Sequence, residues 1–594
     1  MARLDFLRKF AEQIYQNISK YKGFAKLIFP IAVALCTIFL YKFNAFERLE
    51  LLTLDYRFLL RQMKPVAHDV VFVDMAEDSI QSIGRWPWPR AWHATAVKAL
   101  SDYGAKVIAF DVIFSEPQDG IDDDVFEEAI KQSGVVYLPF MFNLATQSID
   151  EIYSDRNIMA IAHPLERFAR WTKGTGYINA SPDLDGILRR VAPLVKYQDG
   201  LFYQFGFKIG CDLMGVDEDE ILFKPERHEI ILKTAKGDIR VPLDENNQLI
   251  LNWRNKWGKA FEHYSYIDII KSYALIKKGE KPIVDLNGLK DKICIIGLTA
   301  SGLIDIRPIP IENAYPAVGV HATVIESIFR NDFINITPRP INTLIIFLVS
   351  VVVTLILSGL RPLNGMYTAI ACLIAYFGAA AFLFSFLNLS IITFYPLFAI
   401  VISYSLTATY THLLQTIERT QLFRQATRDG LTLLYNVRHF NLLLEAEFKN
   451  LTLYKNRRIS LIMMDLDNFK HLNDTYGHPA GDTILREFGG IIQSKCRQID
   501  VPARYGGEEF IIMLVGAGKG FAVGVAEKIR EALANKTFNF DGHEYKTSAS
   551  IGVVEYSDER SKEELIEKAD KALYQAKRGG KNRVSVYEEG ASNN

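Results

Sequence analysis

Four long apolar stretches govern what this 594-residue chain can become. Leu27 to Phe43 is broken only by Lys42, while Ile341 to Leu360, Met366 to Leu387 and Ser390 to Tyr410 carry no charge. The last three reach the roughly 20 apolar residues that a helix needs to cross a bilayer. The first is short enough for a secretory signal peptide. No small-x-small cleavage pattern follows it, however, and Leu35 in front of Cys36 does not suit a lipoprotein signal. It reads as an uncleaved signal anchor. Arg3, Arg8, Lys9, Lys20, Lys22 and Lys26 precede it, which places that side in the cytoplasm. Four crossings then return the chain to the cytoplasm, with the Arg361 link inside and Asn388 in an outer turn. Residues 46–338 and 412–594 fall on opposite sides of one membrane, the layout of a transmembrane sensor.

Composition narrows the remaining choices. With 49% hydrophobic, 12% aromatic and 23% charged residues, neither whole-chain disorder nor a fibrous repeat fits. The 68 basic and 69 acidic residues give a net charge of -1, which removes the global electrostatic argument for a nucleic-acid partner. A nucleotide met here is a substrate rather than a polymer. The five cysteines, at 36, 211, 294, 372 and 496, form neither a disulfide framework nor a CxxC metal site.

Beyond the last apolar stretch, residues 412–428 contain no Gly or Pro and are expected to continue as a linker helix. Gln421 and Arg424 interrupt its apolar stripe, so a coiled-coil seam is neither required nor excluded. Arg458 to Met464 (RISLIMM) has the length and character of a buried strand and leads into Asp465-Leu466-Asp467. Residues i and i+2 of a strand share a face, so the two carboxylates can converge if the extended conformation persists. Such oxygen ligands suit Mg²⁺, which is commonly held by one or two carboxylates together with substrate phosphates. Asn473 and Asp482 follow within HLNDTYGHPAGD, and an amide with a carboxylate can pair with a purine's donor and acceptor edge. A second cluster, Arg504-Tyr505-Gly506-Gly507-Glu508-Glu509-Phe510, sets two carboxylates directly after a glycine turn. So much negative charge is unfavourable unless divalent cations and their phosphate ligand complete the site.

These residues resemble the GGDEF domain of diguanylate cyclases from Asp429 to about Tyr587: DGLT at 429–432, DLDNFKHLND at 465–474, YGHPAGD at 476–482, RYGGEEF at 504–510 and YQAKRGGKNR at 574–583. The resemblance implies a palm-like, ferredoxin-like α/β domain that condenses two GTP into cyclic di-GMP and two pyrophosphates, as a homodimer whose subunits each bind one GTP. It also implies residue roles. Asp465, the Leu466 carbonyl and Glu508 would hold Mg²⁺, with Mn²⁺ as an alternative ion and Glu509 available for a second. Glu508 and Glu509 would be the catalytic pair. Asn473 and Asp482 would read guanine, and Lys470, Lys577 and Lys581, with Phe469, Gly506 and Gly507, would complete the substrate site. Arg497 and Asp500, as RQID, are similar to the family's inhibitory RxxD product site; an Arg fork suits guanine N7 and O6 or phosphate. The family's opening turn usually reads DxLTGLxNRR, whereas Leu433 and Val437 here replace the glycine and the first arginine, so the departures touch signal coupling rather than chemistry.

Residues 46–338 alternate short apolar runs with helical patterns, as an α/β fold does. Strands are expected at Val70–Asp74, Lys106–Asp111, Val135–Phe142 and Lys292–Gly297. With DMAED, GRWPWPR at 84–90, AKVIAFDVIFSE and GVHA at 319–322, this portion resembles a CHASE2 extracytoplasmic sensor domain. Trp86 and Trp88 are expected to pack a core, His321 to be structural, Asp122 to Asp124 with Glu127 and Glu128 to form a solvated surface, and Cys211 and Cys294 to be free buried thiols.

The expected organisation is a cytoplasmic segment 1–26, a first span 27–45, the sensor 46–338, three spans within 339–411, the linker helix 412–428, the GGDEF domain 429–588 and a tail 589–594. The expected protein is a multidomain, multi-pass membrane protein of a bacterial inner membrane, a nucleotidyltransferase answering to an unknown outer ligand and to its own product. Two alternatives stand beside it: a catalytically inactive cyclic di-GMP receptor, and a cyclase making a different cyclic nucleotide.

Overall fold

The computed structural model describes residues 22–64, 69–118, 120–145, 157–198, 200–302, 304–453, 457–540 and 543–588. Arg3, Arg8, Lys9 and Lys20 and the tail 589–594 lie outside the described residues. The chain divides into two compact units, Met1–Thr411 and His412–Asn594.

In the first unit, helix α1 (Lys22–Lys42) is followed by α2 (Glu47–Leu60), and the described part of α1 meets α2 at a bend of 89°. A seven-stranded sheet then forms in the order β6-β1-β7-β2-β3-β4, with β5 also paired to β3. Its strands are β1 (Val70–Met75), β2 (Val107–Phe110), β3 (Val136–Leu144), β4 (Ile158–Ala162), β5 (Gly174–Tyr177), β6 (Glu262–Ser265) and β7 (Ile293–Leu298). Only the β3–β4 pairing is antiparallel. Near-continuous apolar runs such as VVFV and ICII suit strands covered on both faces. Alternate residues take opposite sides. Val71, Val73, Ile108 and Phe110 pack against α4 (Arg90–Asp102), α5 (Gly120–Ser133) and α7 (Tyr266–Lys277), following the short α3 (Glu77–Ile83). Val70, Phe72, Val107 and Ala109 pack against α6 (Phe205–Leu213) and α8 (Gly319–Arg330).

Trp88 is buried in the first of these cores, with its Nε1 donating to the Gly84 carbonyl at 2.8 Å, and Trp86 stands edge-on to it. Cys211 and Cys294 are free and buried in separate clusters. The acidic run is a solvated face, as expected, at Asp124 and Glu128, but not at Asp123. Asp123 is 1% exposed and faces Arg90 at 3.7 Å, and Glu127 binds Arg170 at 2.6 Å and Arg167 at 2.7 Å. Helical periodicity carries Asp123 inward with Phe126 and Ile130 on the buried stripe of α5, while Asp124 points out.

Helices α9 (Arg339–Ser358), α10 (Pro362–Leu387) and α11 (Phe394–Thr427) are long and apolar enough to cross a membrane, and the bent α1–α2 pair meets the same test if taken as one span. Helix α11 runs without a break from Phe394, within the last apolar stretch, to Thr427 in the linker segment.

The second unit is a six-stranded sheet in the order β8-β10-β11-β9-β12-β13. Its elements are β8 (Tyr435–Asn436), α12 (Val437–Leu453), β9 (Ile459–Leu466), α13 (Phe469–Tyr476), α14 (His478–Lys495), β10 (Val501–Arg504), β11 (Glu509–Val515), α15 (Lys519–Ala534), β12 (Ala549–Glu555), α16 (Lys562–Arg578) and β13 (Val584–Val586). Strands β9, β10, β11 and β12 with their helices give the βαββαβ connectivity of a ferredoxin-like palm. Central β9 is buried along its whole length. Gly552 on β12 lets α16 lie close: a Cβ there would meet the Leu573 amide nitrogen at 2.2 Å.

Candidate functional site

The antiparallel pairing of β9 with β11 sets Asp465 opposite Glu509, and the pairing with β12 sets Asp465 opposite Ser550. Chain geometry thus brings the end of the apolar run and the GGEEF turn together. Asp465 is 7% exposed and receives Lys577 Nζ from the last turn of α16 at 2.9 Å. Burial pushes the Asp465 carboxyl up despite Lys577, and the charge of Asp467 adds to the rise. Burial also pushes Glu508 up, with the neighbouring Asp465 and then Glu509 contributing and Lys577 opposing. Two carboxylates that resist ionisation beside each other are a place where added positive charge is favourable.

Asp467 is already engaged by hydrogen-bond donors. It is 5% exposed, and its oxygens accept from Ser550 Oγ at 2.7 Å, Ser548 Oγ at 2.6 Å and the Asn582 amide at 3.1 Å. Ser550 stands opposite Asp465 and also bonds Asp467, so the two aspartates share a face as strand periodicity expects, but the Asp467 oxygens are engaged by these donors, and Asn468 with a left-handed φ of 56° then turns the chain towards α13.

On the other side, α13 carries Asn473 and α14 carries Asp482. Asn473 Oδ1 is buried without a hydrogen-bond partner, whereas Asp482 is exposed. An orphaned buried acceptor is costly unless a ligand satisfies it. Gly481 makes this arrangement possible, because a Cβ there would lie 2.0 Å from Asn473 Oδ1. Phe469 is buried beneath the site. Lys470 is exposed and lines a surface groove of about 440 Å³ with Asn468, His471, Asp474 and Thr475. Lys581 Nζ donates to Asn468 Oδ1 at 2.6 Å. Gly507 has open space where a side chain would stand, while a Cβ at Gly506 would crowd Glu509 Oε2 at 2.8 Å.

Sequence reasoning missed the link that holds the glycine turn. Arg504 donates to the Gly507 carbonyl at 2.6 Å and 3.1 Å and to Asp429 at 3.3 Å, and Asp429 also accepts from the Thr432 amide and hydroxyl at 2.8 Å. The DGLT turn is therefore tied to the GGEEF turn. Leu433 in that opening turn has a φ of 61°, a conformation that favours glycine, which gives a physical meaning to the departure at this position. Asp500 is 5% exposed and pairs with Arg497 at 2.9 Å, while the Arg497 guanidinium lies 4.5 Å from the centre of the Phe521 ring.

Among the described residues, no three His, Cys, Asp or Glu side chains form a preassembled metal cluster. The donors present are Asp465, Glu508, Glu509 and the backbone at Leu466. Such a partial oxygen set fits an ion that keeps substrate phosphates among its ligands.

A CHASE2 domain family model matches residues 31–356, and a model described as "Diguanylate cyclase, GGDEF domain" matches residues 426–583. Diguanylate cyclase A of Treponema denticola is 43% identical over 174 residues, which cover 29% of this chain and 47% of that protein. Diguanylate cyclase DgcS of Shewanella oneidensis is 41% identical over 174 residues, 29% of this chain and 56% of that protein. The chain thus spans about half the length of these curated relatives. The solved GGDEF domain of DgcB from Caulobacter crescentus, in complex with c-di-GMP, is 32% identical and covers 28% of this chain and 94% of that one, with a TM-score of 0.27. The first match takes in more than half of the residues, and so the chain belongs to the CHASE2 domain family and carries a GGDEF domain after it.

Proposed function

We propose that the protein is a membrane-bound diguanylate cyclase that condenses two GTP into cyclic di-GMP and two pyrophosphates. The observation that carries this reading is the cluster of Asp465, Glu508 and Lys577 at the paired ends of β9 and β11. In each of two condensations, the 3'-hydroxyl oxygen of one GTP bonds to the α-phosphorus of the other as the bond to pyrophosphate breaks. Glu508, whose carboxyl is lifted by burial and by Asp465, takes the hydroxyl proton. Asn473 and Asp482 hold the guanine edge, and the buried Oδ1 of Asn473 gains the partner it lacks. Lys577, Lys581 and Lys470 receive the phosphates. When bound by Asp465, Glu508 and the Leu466 carbonyl, with Glu509 beside them, Mg²⁺ supplies neutralisation of the charge on the α-phosphoryl group and the departing pyrophosphate.

Two subunits are needed, since each presents one GTP. Helix α1 counts as one crossing and α9, α10 and α11 as three more, so the CHASE2 unit faces outward and the cyclase inward. Arg497 and Asp500, with Phe521 under the guanidinium, bind the product and restrain turnover. The reading is tested by offering the protein equal GTP and ATP and identifying products by mass spectrometry. Cyclic di-GMP alone is expected, and Asp482→Ser should blunt the choice of base. Preferential turnover of ATP by the unaltered protein overturns the assignment.

A further inference from the structure

The CHASE2 unit contains a cavity of about 170 Å³, lined by Asp111, Ile178, Asp305, Ala317 and His321 with their neighbours. It lies past the carboxyl ends of β2 and β7, beside the start of α8. In open α/β sheets the crevice outside the carboxyl ends of the strands is where ligands bind.

The polar groups around this cavity are held in defined orientations. His321 is 2% exposed, and its Nδ1 lies 2.8 Å from the Nε2 of fully buried Gln204. The Oε1 of that same amide accepts from the Phe207 amide at 2.9 Å as the cap of α6. The Gln204 nitrogen is therefore the donor to His321, Nδ1 is the acceptor, and a neutral imidazole carries its proton on Nε2. That Nε2 stands 3.5 Å from Asp111 Oδ1, longer than a good hydrogen bond, so donor and carboxylate each keep capacity for a closer partner. Asp305 is 60% exposed and pairs with Arg307 at 2.9 Å, whereas Asp111 is 20% exposed beside buried His321, so Asp111 is the more enclosed acid facing the cavity. The first turn of the 12-residue α8 adds the positive end of a helix.

We propose that this cavity binds a small zwitterionic α-amino acid, with its ammonium on Asp111 and its carboxylate on His321 Nε2–H and the first turn of α8. The volume is close to that of a buried site able to hold benzene, which limits the ligand to roughly six to eight non-hydrogen atoms. The position also suits a signal. Helix α8 leads at its other end to Asp332, which binds Lys64 at 2.5 Å, Arg254 at 3.0 Å and Asn388 in the turn before α11 at 2.6 Å. A ligand at the start of α8 thus acts on a rigid element whose far end is bonded to the approach to α11.

The test is calorimetry and thermal melting of the full-length protein in lipid nanodiscs, titrated with the proteinogenic amino acids and, for any that binds, with its decarboxylated and deaminated analogues. At least one small amino acid should bind and raise the melting temperature, with both analogues weaker by about tenfold or more, the fold-change expected for one lost charge-assisted hydrogen bond. Asp111→Asn should weaken binding to a similar extent, and Ala317→Leu, which fills the cavity, should abolish it. Both variants must melt like the unaltered protein without ligand; the analogue comparison needs no variant. Absence of binding by every amino acid, equal binding of the analogues, or unchanged binding to both variants would overturn the proposal. None of these readouts depends on cyclase turnover.

Discussion

The two aspartates of the DLD motif should respond in opposite ways to removal of their charge. Asp467 accepts two hydroxyl bonds, from Ser548 and Ser550, and one amide bond from Asn582, at 5% exposure. Hydrogen bonds to a charged group contribute about 1.5–3 kcal/mol each, offset in part by the cost of burying the carboxylate, so Asp467→Ala should lose about 3 kcal/mol. In a unit of this size that lowers the melting temperature by roughly 6–12 °C. Asp465 differs, because burial holds its carboxyl above the ordinary range. A carboxyl raised in the fold destabilises it at neutral pH, and that penalty lessens as pH falls through the raised value. Asp465→Asn should therefore hold or raise the melting temperature at pH 7, and flatten its rise on mild acidification, while removing turnover. Urea and thermal unfolding of residues 412–594 in chelator decide the matter. Equal melting of Asp467→Ala and the unaltered protein, or strong destabilisation by Asp465→Asn, would refute this division of roles.

Gly481→Ala should drive the Asn473 amide away from its position, since the added Cβ would fall 2.0 Å from Oδ1; steady-state kinetics should show KM for GTP raised about tenfold or more, with a smaller change in kcat. Gly552→Ala should destabilise the GGDEF unit by about 1–3 kcal/mol in urea titration, because α16 lies too close to admit a methyl group. Arg497→Ala removes the stack on Phe521 and the bonds to Asp500. Progress curves should then lose their product-dependent slowing while the initial rate persists.

The apolar run at 458–464 announced a buried strand, and the two acidic clusters announced a site, because strand periodicity and charge density are local properties of the chain. The difference in what Asp465 and Asp467 bind was not local. It depends on the hydroxyls of Ser548 and Ser550, some eighty residues away. The Arg504 link to Asp429, seventy-five residues earlier, likewise arises only in the folded unit, where β8 and β10 pair. In the CHASE2 unit, the buried sheet and its aromatic core were legible in VVFV, VIAF and ICII. The inward turn of Asp123 was hidden by its acidic neighbours, because composition conceals which single acid lies on the buried stripe. The Gln204–His321–Asp111 arrangement combines three distant segments and left no pattern in the sequence.

The most direct measurement quantifies nucleotide products made from GTP and Mg²⁺ by the full-length protein in membranes, beside Glu508→Gln. The expected result is cyclic di-GMP with two pyrophosphates released for each molecule formed, and none from Glu508→Gln although that variant is folded. Binding of cyclic di-GMP by the unaltered protein without conversion of GTP, or equal product from the Glu508→Gln variant, would contradict a cyclase built on Asp465, Glu508 and Lys577.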